Sequence, residues 1–274
     1  MVGSSSSTRL RPADRMTDGL RVEVDAAVAT LTLDRPEALN ALTIPVKLAL
    51  LEALHALADD RTIRAVILTG AGRAFCAGQD LAERDAPDAP PLDVELRERY
   101  NPIIRALRAM GQPVVAAVNG VAAGAGASLA FACDLRIAAD DARFILAFGR
   151  IGLVPDSGAT WFLPRLVGAA RATEIALLGE PIGAAEALRI GLVNRVVPAA
   201  SLLHEARALA DRLATTAPLA AALTKQALDR AWAIDLDEAL EGEAKLQGLA
   251  GATADHAEGM AAFREKRPPR FTGE

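Results

Sequence analysis

Two short runs, Ala65-Val-Ile-Leu68 and Val114-Val-Ala-Ala-Val118, contain no polar residue, and each leads toward a glycine-rich turn. A strand with one wet face alternates polar and apolar residues. An unbroken apolar strand is covered on both faces, as in a parallel sheet with helices packed on it. A third strand, Leu135-Arg-Ile-Ala138, follows the second turn and a helix near 126–133, so strands and helices alternate as in an α/β fold. Val22, Val24 and the stretch from Val28 to Leu33 flank Asp25-Ala26 and predict a hairpin that Arg35-Pro36 ends. A helix opens at Thr43, with Pro45 in its first turn where a missing N–H costs nothing. It continues through Val46, Leu50, Leu54 and Leu57 at helical spacing. Residues 81–92 are acidic and proline-rich and predict a mobile surface loop, and a helix over about 93–110 precedes the second apolar run. Beyond about residue 199 helical patterns dominate. The expected division is a mobile N-terminal extension (1–18), an α/β core (19–198) and a helical C-terminal region (199–274).

Charge and composition remove whole classes of function. The 274 residues hold 30 basic and 35 acidic side chains, a net charge of -5, with no basic stripe of the kind a nucleic-acid binder carries. A chain that is 51% hydrophobic has ample core, yet no stretch reaches the roughly 18–20 apolar residues of a membrane span. The first residues contain arginines and serines but no apolar h-region, so no secretory signal is expected, and Asp14 and Asp18 argue against a transit peptide. Cys76 and Cys133 lack metal-ligand spacing and read as reduced thiols, which points to the cytoplasm. With His55, His204 and His256 as the histidines, no metal centre is expected.

The glycine-rich turns do not fit nucleotide loops. Gly124 and Gly126 begin a G-x-G, but Leu129 takes the third glycine position, and no Gly-Lys-Ser/Thr follows. Gly126-Ala-Ser128-Leu-Ala130 sits where a nucleophile elbow would, but Ala130 replaces its last glycine, and His204 and His256 both lie in helical, solvent-type contexts. The two turns taken together fit a different chemistry. Sites in parallel sheets lie beyond the carboxyl ends of strands, and small residues there let backbone N–H groups approach one ligand atom. The second turn also opens a helix, whose positive end favours developing negative charge. Two N–H groups aimed at one oxygen make an oxyanion hole.

Gly72-Arg-Ala-Phe-Cys-Ala-Gly-Gln-Asp80 and Ala117-Val-Asn-Gly-Val-Ala-Ala-Gly-Ala-Gly126 resemble the enoyl-CoA hydratase/isomerase (crotonase) superfamily. Pro36-Glu-Ala-Leu-Asn-Ala-Leu42 and Arg264-Glu-Lys-Arg-Pro268 extend the resemblance over essentially residues 20–272. It implies a spiral of ββα units with a helical C-terminal trimerisation region, assembled as a homotrimer or a dimer of trimers. It implies an acyl-CoA thioester as substrate, with no cofactor beyond the coenzyme A that the substrate carries. By position, the N–H groups holding the thioester oxygen would be those of Ala77 and Ala125. Further substrate contacts are expected from Ala38, Phe75, Gln79, Asp80 and Gly124, although Asp80 also reads as a structural acid. Phe148 and Trp161 would wall an aromatic or alicyclic acyl group. Phe263 and Lys266 match positions that help hold the coenzyme A of a neighbouring subunit.

Hydratases of this superfamily hold a water between two glutamates. Aligned with them through Cys133-Asp134 and Gly152-Leu-Val-Pro155, this sequence has Ser128 and Phe148 at those two positions, and neither is an acid or base near neutral pH. The carboxylate left for chemistry is Asp156, in Val154-Pro-Asp-Ser-Gly158, which as a bare string reads as a helix N-cap. In isomerase branches an acid at this position contacts the acyl chain. Ala147-Phe-Gly-Arg-Ile-Gly-Leu-Val-Pro-Asp-Ser-Gly158 looks specifically like the branch of 1,2-epoxyphenylacetyl-CoA isomerases of phenylacetate degradation. The expectation is therefore an acyl-CoA isomerase with Asp156 moving a proton. The alternatives are a hydratase of the same superfamily, an inert acyl-CoA-binding protein, and a serine hydrolase built on Ser128.

Overall fold

The computed structural model describes residues 15–274. The expected N-terminal extension lies outside the described residues as far as residue 14. Its last part does not: Arg15–Thr17 forms a strand, β1, that pairs antiparallel with the next.

Ten further strands follow: β2 (Leu20–Asp25), β3 (Val28–Leu33), β4 (Ala65–Gly70), β5 (Ala74–Cys76), β6 (Val114–Val118), β7 (Val121–Ala123), β8 (Leu135–Ala139), β9 (Arg143–Ile145), β10 (Ile182–Gly183) and β11 (Arg195–Val197). Among the described residues they form a seven-stranded sheet, order β1-β2-β3-β4-β6-β8-β11, and a four-stranded sheet, order β10-β9-β7-β5. From β3 to β11 every pairing in the large sheet is parallel. Three successive strand pairs, β4–β5, β6–β7 and β8–β9, each place one strand in the large sheet and the next in the small one. The helices between them return the chain, giving the expected ββα spiral. All residues of β4 and β6 are buried, as unbroken apolar sequence requires.

The helices are α1 (Ile44–Asp59), α2 (Leu81–Arg84), α3 (Leu92–Glu95), α4 (Asn101–Ala109), α5 (Ala125–Ala132), α6 (Ala159–Val167), α7 (Ala169–Leu178), α8 (Ala184–Arg189), α9 (Leu202–Ala214), α10 (Pro218–Ala231), α11 (Leu236–Gly251) and α12 (Ala254–Glu265). The Thr43 side chain caps α1 by accepting from the Val46 N–H, and Val46, Leu50, Leu54 and Leu57 are buried as their spacing predicts. The segment 81–92 is less loop-like than expected. Asp80 Oδ1 accepts from the N–H groups of Ala82 and Glu83 at 3.1 and 3.3 Å and so caps one helical turn, α2. The helix expected over 93–110 is interrupted by a π-helical turn, Leu96–Tyr100. Pro102 has no N–H to donate four residues back, and the Asn101 N–H reaches Leu96 instead.

Four helices run from Leu202 to Glu265, but they do not form one separate layer. Helix α9 buries Leu202, Ala206, Leu209 and Ala210 in the main core. Helices α10 and α11 bury nothing within the chain and expose Leu228, Trp232, Leu236 and Leu240. No helix among the described residues is long and apolar enough to cross a membrane.

Candidate active site

The two glycine-rich turns meet backbone to backbone. A Cβ on Gly126 would stand 2.2 Å from the Cys76 carbonyl oxygen, and one on Gly78 (φ +94) would stand 2.8 Å from the Ala123 oxygen and 3.3 Å from the Ala125 nitrogen. Glycine at 78 and 126 is thus what allows the chain after β5 to lie against the start of α5. Ala125 is the first residue of α5, whose first-turn N–H groups have no intrahelical acceptor. Gly124 (φ +52) supplies no side-chain cap there, and its own N–H donates to the Ile145 carbonyl at 2.9 Å.

The first turn corrects the expectation for Ala77. Its N–H donates to the Leu39 carbonyl at 2.9 Å and is not free for a ligand. Two residues on, Leu42 bridges the chain as a parallel strand would: its N–H donates to the Gly78 oxygen at 2.7 Å and its carbonyl accepts from the Asp80 N–H at 3.3 Å. That pattern turns the Gln79 N–H away from residue 42, and no acceptor within the described chain takes it. Gln79, not Ala77, therefore presents the free N–H beside the turn that opens α5.

Asp156 lies in the same region. It does not cap α6, whose N-cap is Gly158, so the capping reading fails. Its backbone carbonyl accepts from the Ala159 N–H at 2.9 Å and from Ser128 Oγ at 3.0 Å. Its carboxylate Oδ1 accepts from Ser157 Oγ at 2.9 Å. Burial raises the Asp156 pKa above the ordinary aspartate value, against the opposing pull of the Ser157 hydroxyl. Ser157 itself adopts φ +50, a left-handed conformation uncommon outside glycine. Ser128 is fully buried, shares its one hydroxyl hydrogen between the Asp156 and Gly124 carbonyls (the latter at 3.2 Å), and has no histidine partner among the described residues, which removes the serine-hydrolase alternative. Phe148 is buried, with its Cζ 3.8 Å from the position a Cβ on Gly124 would take.

A buried polar cluster adjoins these groups. Gln79 Oε1 accepts from Tyr100 Oη at 2.5 Å and from Lys47 Nζ at 3.2 Å. Lys47 has no exposed side-chain surface and pairs with Glu95, which also pairs with Arg99. Burial works to raise the Glu95 pKa, but Lys47 and then Arg99 outweigh it and hold the carboxyl low. The Tyr100 phenol is pushed up, chiefly by burial. Sequence reading missed Lys47, Glu95 and Tyr100. One signal was available: Lys47 falls on the apolar stripe of α1, three residues before Leu50 and seven before Leu54.

Other expected contacts fare unevenly. Phe75 is fully buried in the core, so its ring is a packing residue. Asp80 is structural: it caps α2 and pairs with Arg35 at 2.9 Å, and that hydrogen bond holds its pKa low. Ala38 lies in a single 3-10 turn, Pro36–Ala38, ahead of the Leu39 carbonyl that Ala77 uses. Trp161 is 39% exposed, edge-on to Phe162 and stacked under Arg165 at 3.9 Å. Phe263 and Lys266 sit at the end of α12, with Phe263 83% exposed and Lys266 closing the helix at φ +55. Asp85 and Asp88 are exposed, as expected of solvated loop acids.

Residues 23–274 match the enoyl-CoA hydratase/isomerase family. The chain is 45% identical over 261 residues to the 1,2-epoxyphenylacetyl-CoA isomerase of Escherichia coli K12, covering 94% of this chain and all of that one. It is 49% identical over 254 residues to a probable enoyl-CoA hydratase of Rhodobacter capsulatus, covering 93% and 98% of the two chains. The crystal structure of an enoyl-CoA hydratase from Bacillus anthracis superposes with a TM-score of 0.88 at 35% identity, covering 94% of this chain and 100% of that one. The ββα spiral is therefore a crotonase fold, and the chain belongs to the enoyl-CoA hydratase/isomerase family.

Proposed function

We propose that the protein isomerises an acyl-CoA thioester, with Asp156 as the group that moves the proton. The thioester oxygen accepts from the N–H groups of Gln79 and Ala125, the latter at the positive end of α5. Each such donor is worth about 3–4 kcal/mol to a transition state in which charge collects on that oxygen. Polarising the carbonyl acidifies the adjacent carbon. In a double-bond migration, the Asp156 carboxylate removes a proton from C2 of a 3-enoyl thioester and leaves a dienolate whose charge rests on the held oxygen. The carboxylic acid so formed returns the proton to C4, giving the 2-enoyl product. With an epoxide on the acyl group, the same acid assists opening of the ring. No cofactor beyond the coenzyme A carried by the substrate enters either route.

The observation that carries this reading is the pairing of a half-buried Asp156 with Ser128 and Phe148 at the two positions where a hydratase holds acids. Similarity to the Escherichia coli isomerase supports it, and Phe148 suits an aromatic or alicyclic acyl group. In the same reading, exposed Phe263 and Lys266 reach the coenzyme A of a neighbouring subunit in a trimer or dimer of trimers, through the helical face that α10 and α11 leave uncovered. Turnover of a 3-enoyl-CoA, of 1,2-epoxyphenylacetyl-CoA and of crotonyl-CoA tests the proposal. Isomerisation of either of the first two with poor hydration of the third supports it. Efficient hydration of crotonyl-CoA without isomerisation makes the protein a hydratase, and binding without turnover makes it an inert acyl-CoA carrier.

A further inference from the structure

The N–H of Gln79 belongs to the peptide unit that begins at Gly78, a residue with no Cβ and φ +94. Such a unit is free to rotate unless something holds it. On one side the Leu42 N–H holds the Gly78 carbonyl at 2.7 Å. On the other, the Gln79 side chain runs into the buried cluster, where Oε1 takes both the Tyr100 hydroxyl and the Lys47 ammonium while Nε2 donates to the Asp80 carbonyl at 3.3 Å.

We propose that Lys47 and Tyr100 are positioning residues for the oxyanion hole: they clamp the Gln79 side chain and thereby fix the direction of its backbone N–H. The inference rests on the oxyanion reading above.

The cost of the cluster supports a positioning role. Lys47 occupies a place on α1 that its buried neighbours Val46, Leu50 and Leu54 show to be an apolar one. A fully buried ammonium is tolerated only with complete pairing, and a well-packed apolar residue in place of such a pair is often neutral or stabilising. Here the pairing is complete: Glu95 and Gln79 accept from Lys47, Glu83 stands 3.8 Å away, and the Tyr100 ring lies 4.8 Å beneath the ammonium. Glu83 is held in turn by the Ile44 N–H, 2.9 Å from both carboxylate oxygens. Tyr100, the chain's one tyrosine, is brought to Gln79 by the π-helical turn, an irregularity that often marks functional sites. Hydrogen bonds from two donors, one charged, converge on a single amide oxygen. Their other effect is to leave that amide one orientation.

The test uses the full chain and two readouts. The first is the carbonyl stretch of bound [1-13C]butyryl-CoA, a saturated thioester that does not react; the second is kcat and KM for 3-enoyl-CoA isomerisation. In the unaltered protein the oxyanion reading expects the stretch to move to lower frequency on binding. In Tyr100→Phe the proposal expects part of that shift to vanish, kcat to fall about tenfold, and KM and butyryl-CoA affinity to stay within about twofold. That loss is smaller than the 10²–10³-fold of deleting an oxyanion donor outright. Gln79→Leu removes the clamped amide and should lower kcat similarly. Tyr100→Phe added to it should then change nothing further. Because Lys47→Met alone would strand Glu95, it is paired with Glu95→Gln, and the double variant should reproduce the Tyr100→Phe spectrum. An unchanged stretch and kcat in Tyr100→Phe overturn the proposal, as do effects of Tyr100→Phe and Gln79→Leu that simply multiply. Absence of any shift in the unaltered protein overturns the oxyanion reading itself, and the inference with it.

Discussion

Ser128 Oγ donates to the backbone carbonyl of Asp156 across 3.0 Å, tying the first turn of α5 to the loop that carries the candidate acid. Ser128 thus holds the backbone of that loop and leaves the carboxyl to Ser157. Ser128→Ala removes this bond and the one to Gly124, and in a fully buried site should cost about 1 kcal/mol of stability. Because the Asp156 backbone carbonyl is then held by the Ala159 N–H alone, kcat should fall as well, by less than when the carboxyl itself is changed. Chemical denaturation and initial rates on one preparation check both.

The close approach of the two turns predicts a steric failure. Gly126→Ala places a methyl group 2.2 Å from the Cys76 carbonyl, against backbone that cannot rotate away. The variant should lose at least about 2 kcal/mol and bind acyl-CoA poorly. Thermal unfolding with calorimetric titration checks this, and a variant as stable and active as the parent would mean the turns are not in contact.

Asp80 should behave as a structural acid. Asp80→Ala removes the α2 cap and the Arg35 partner, for a loss of about 2 kcal/mol at neutral pH, with little change in rate per folded molecule. The pH dependence has a definite sign. The Asp80 pKa is lowered in the folded state, so its contribution is present above the ordinary aspartate value and is lost as pH falls through the folded one. The gap in stability between parent and variant should therefore close in acid.

Asp156 has the opposite sign. Its folded pKa is raised by burial, so its contribution to stability is complete below the ordinary aspartate value and is lost as pH rises through the folded one. Asp156→Asn should consequently be at least as stable as the parent at neutral pH, with the advantage shrinking in acid. The same shift moves activity: the acid limb of the kcat profile should lie above the pH at which a solvated aspartate ionises.

How much of this was legible before folding depends on how local each feature is. Strands β4 and β6 were readable because burial on both faces leaves an uninterrupted apolar record in the chain itself. Thr43 and Pro45 announced α1 for an equally local reason. The identity of the free N–H was not local. Ala77 and Gln79 differ in where Leu39 and Leu42, residues from a different segment, direct their backbone bonds. Small side chains at the turn marked the right stretch and the wrong residue. Asp156 was placed at the site by its resemblance to isomerases, whereas its string alone suggested a cap that Gly158 supplies instead. Lys47 interrupts an apolar stripe, a visible anomaly, but its partners Glu95 and Tyr100 come together only through the π-helical turn ahead of Pro102.

The rate of 3-enoyl-CoA isomerisation by Asp156→Asn, measured beside its affinity for butyryl-CoA, tests most directly the proposal that Asp156 moves the proton. Asparagine keeps the size of the side chain but cannot take up a proton, so the account predicts a rate lower by about 10²–10⁴-fold with affinity essentially unchanged. A variant that isomerises as fast as the parent, per folded molecule and at equal affinity, would contradict it.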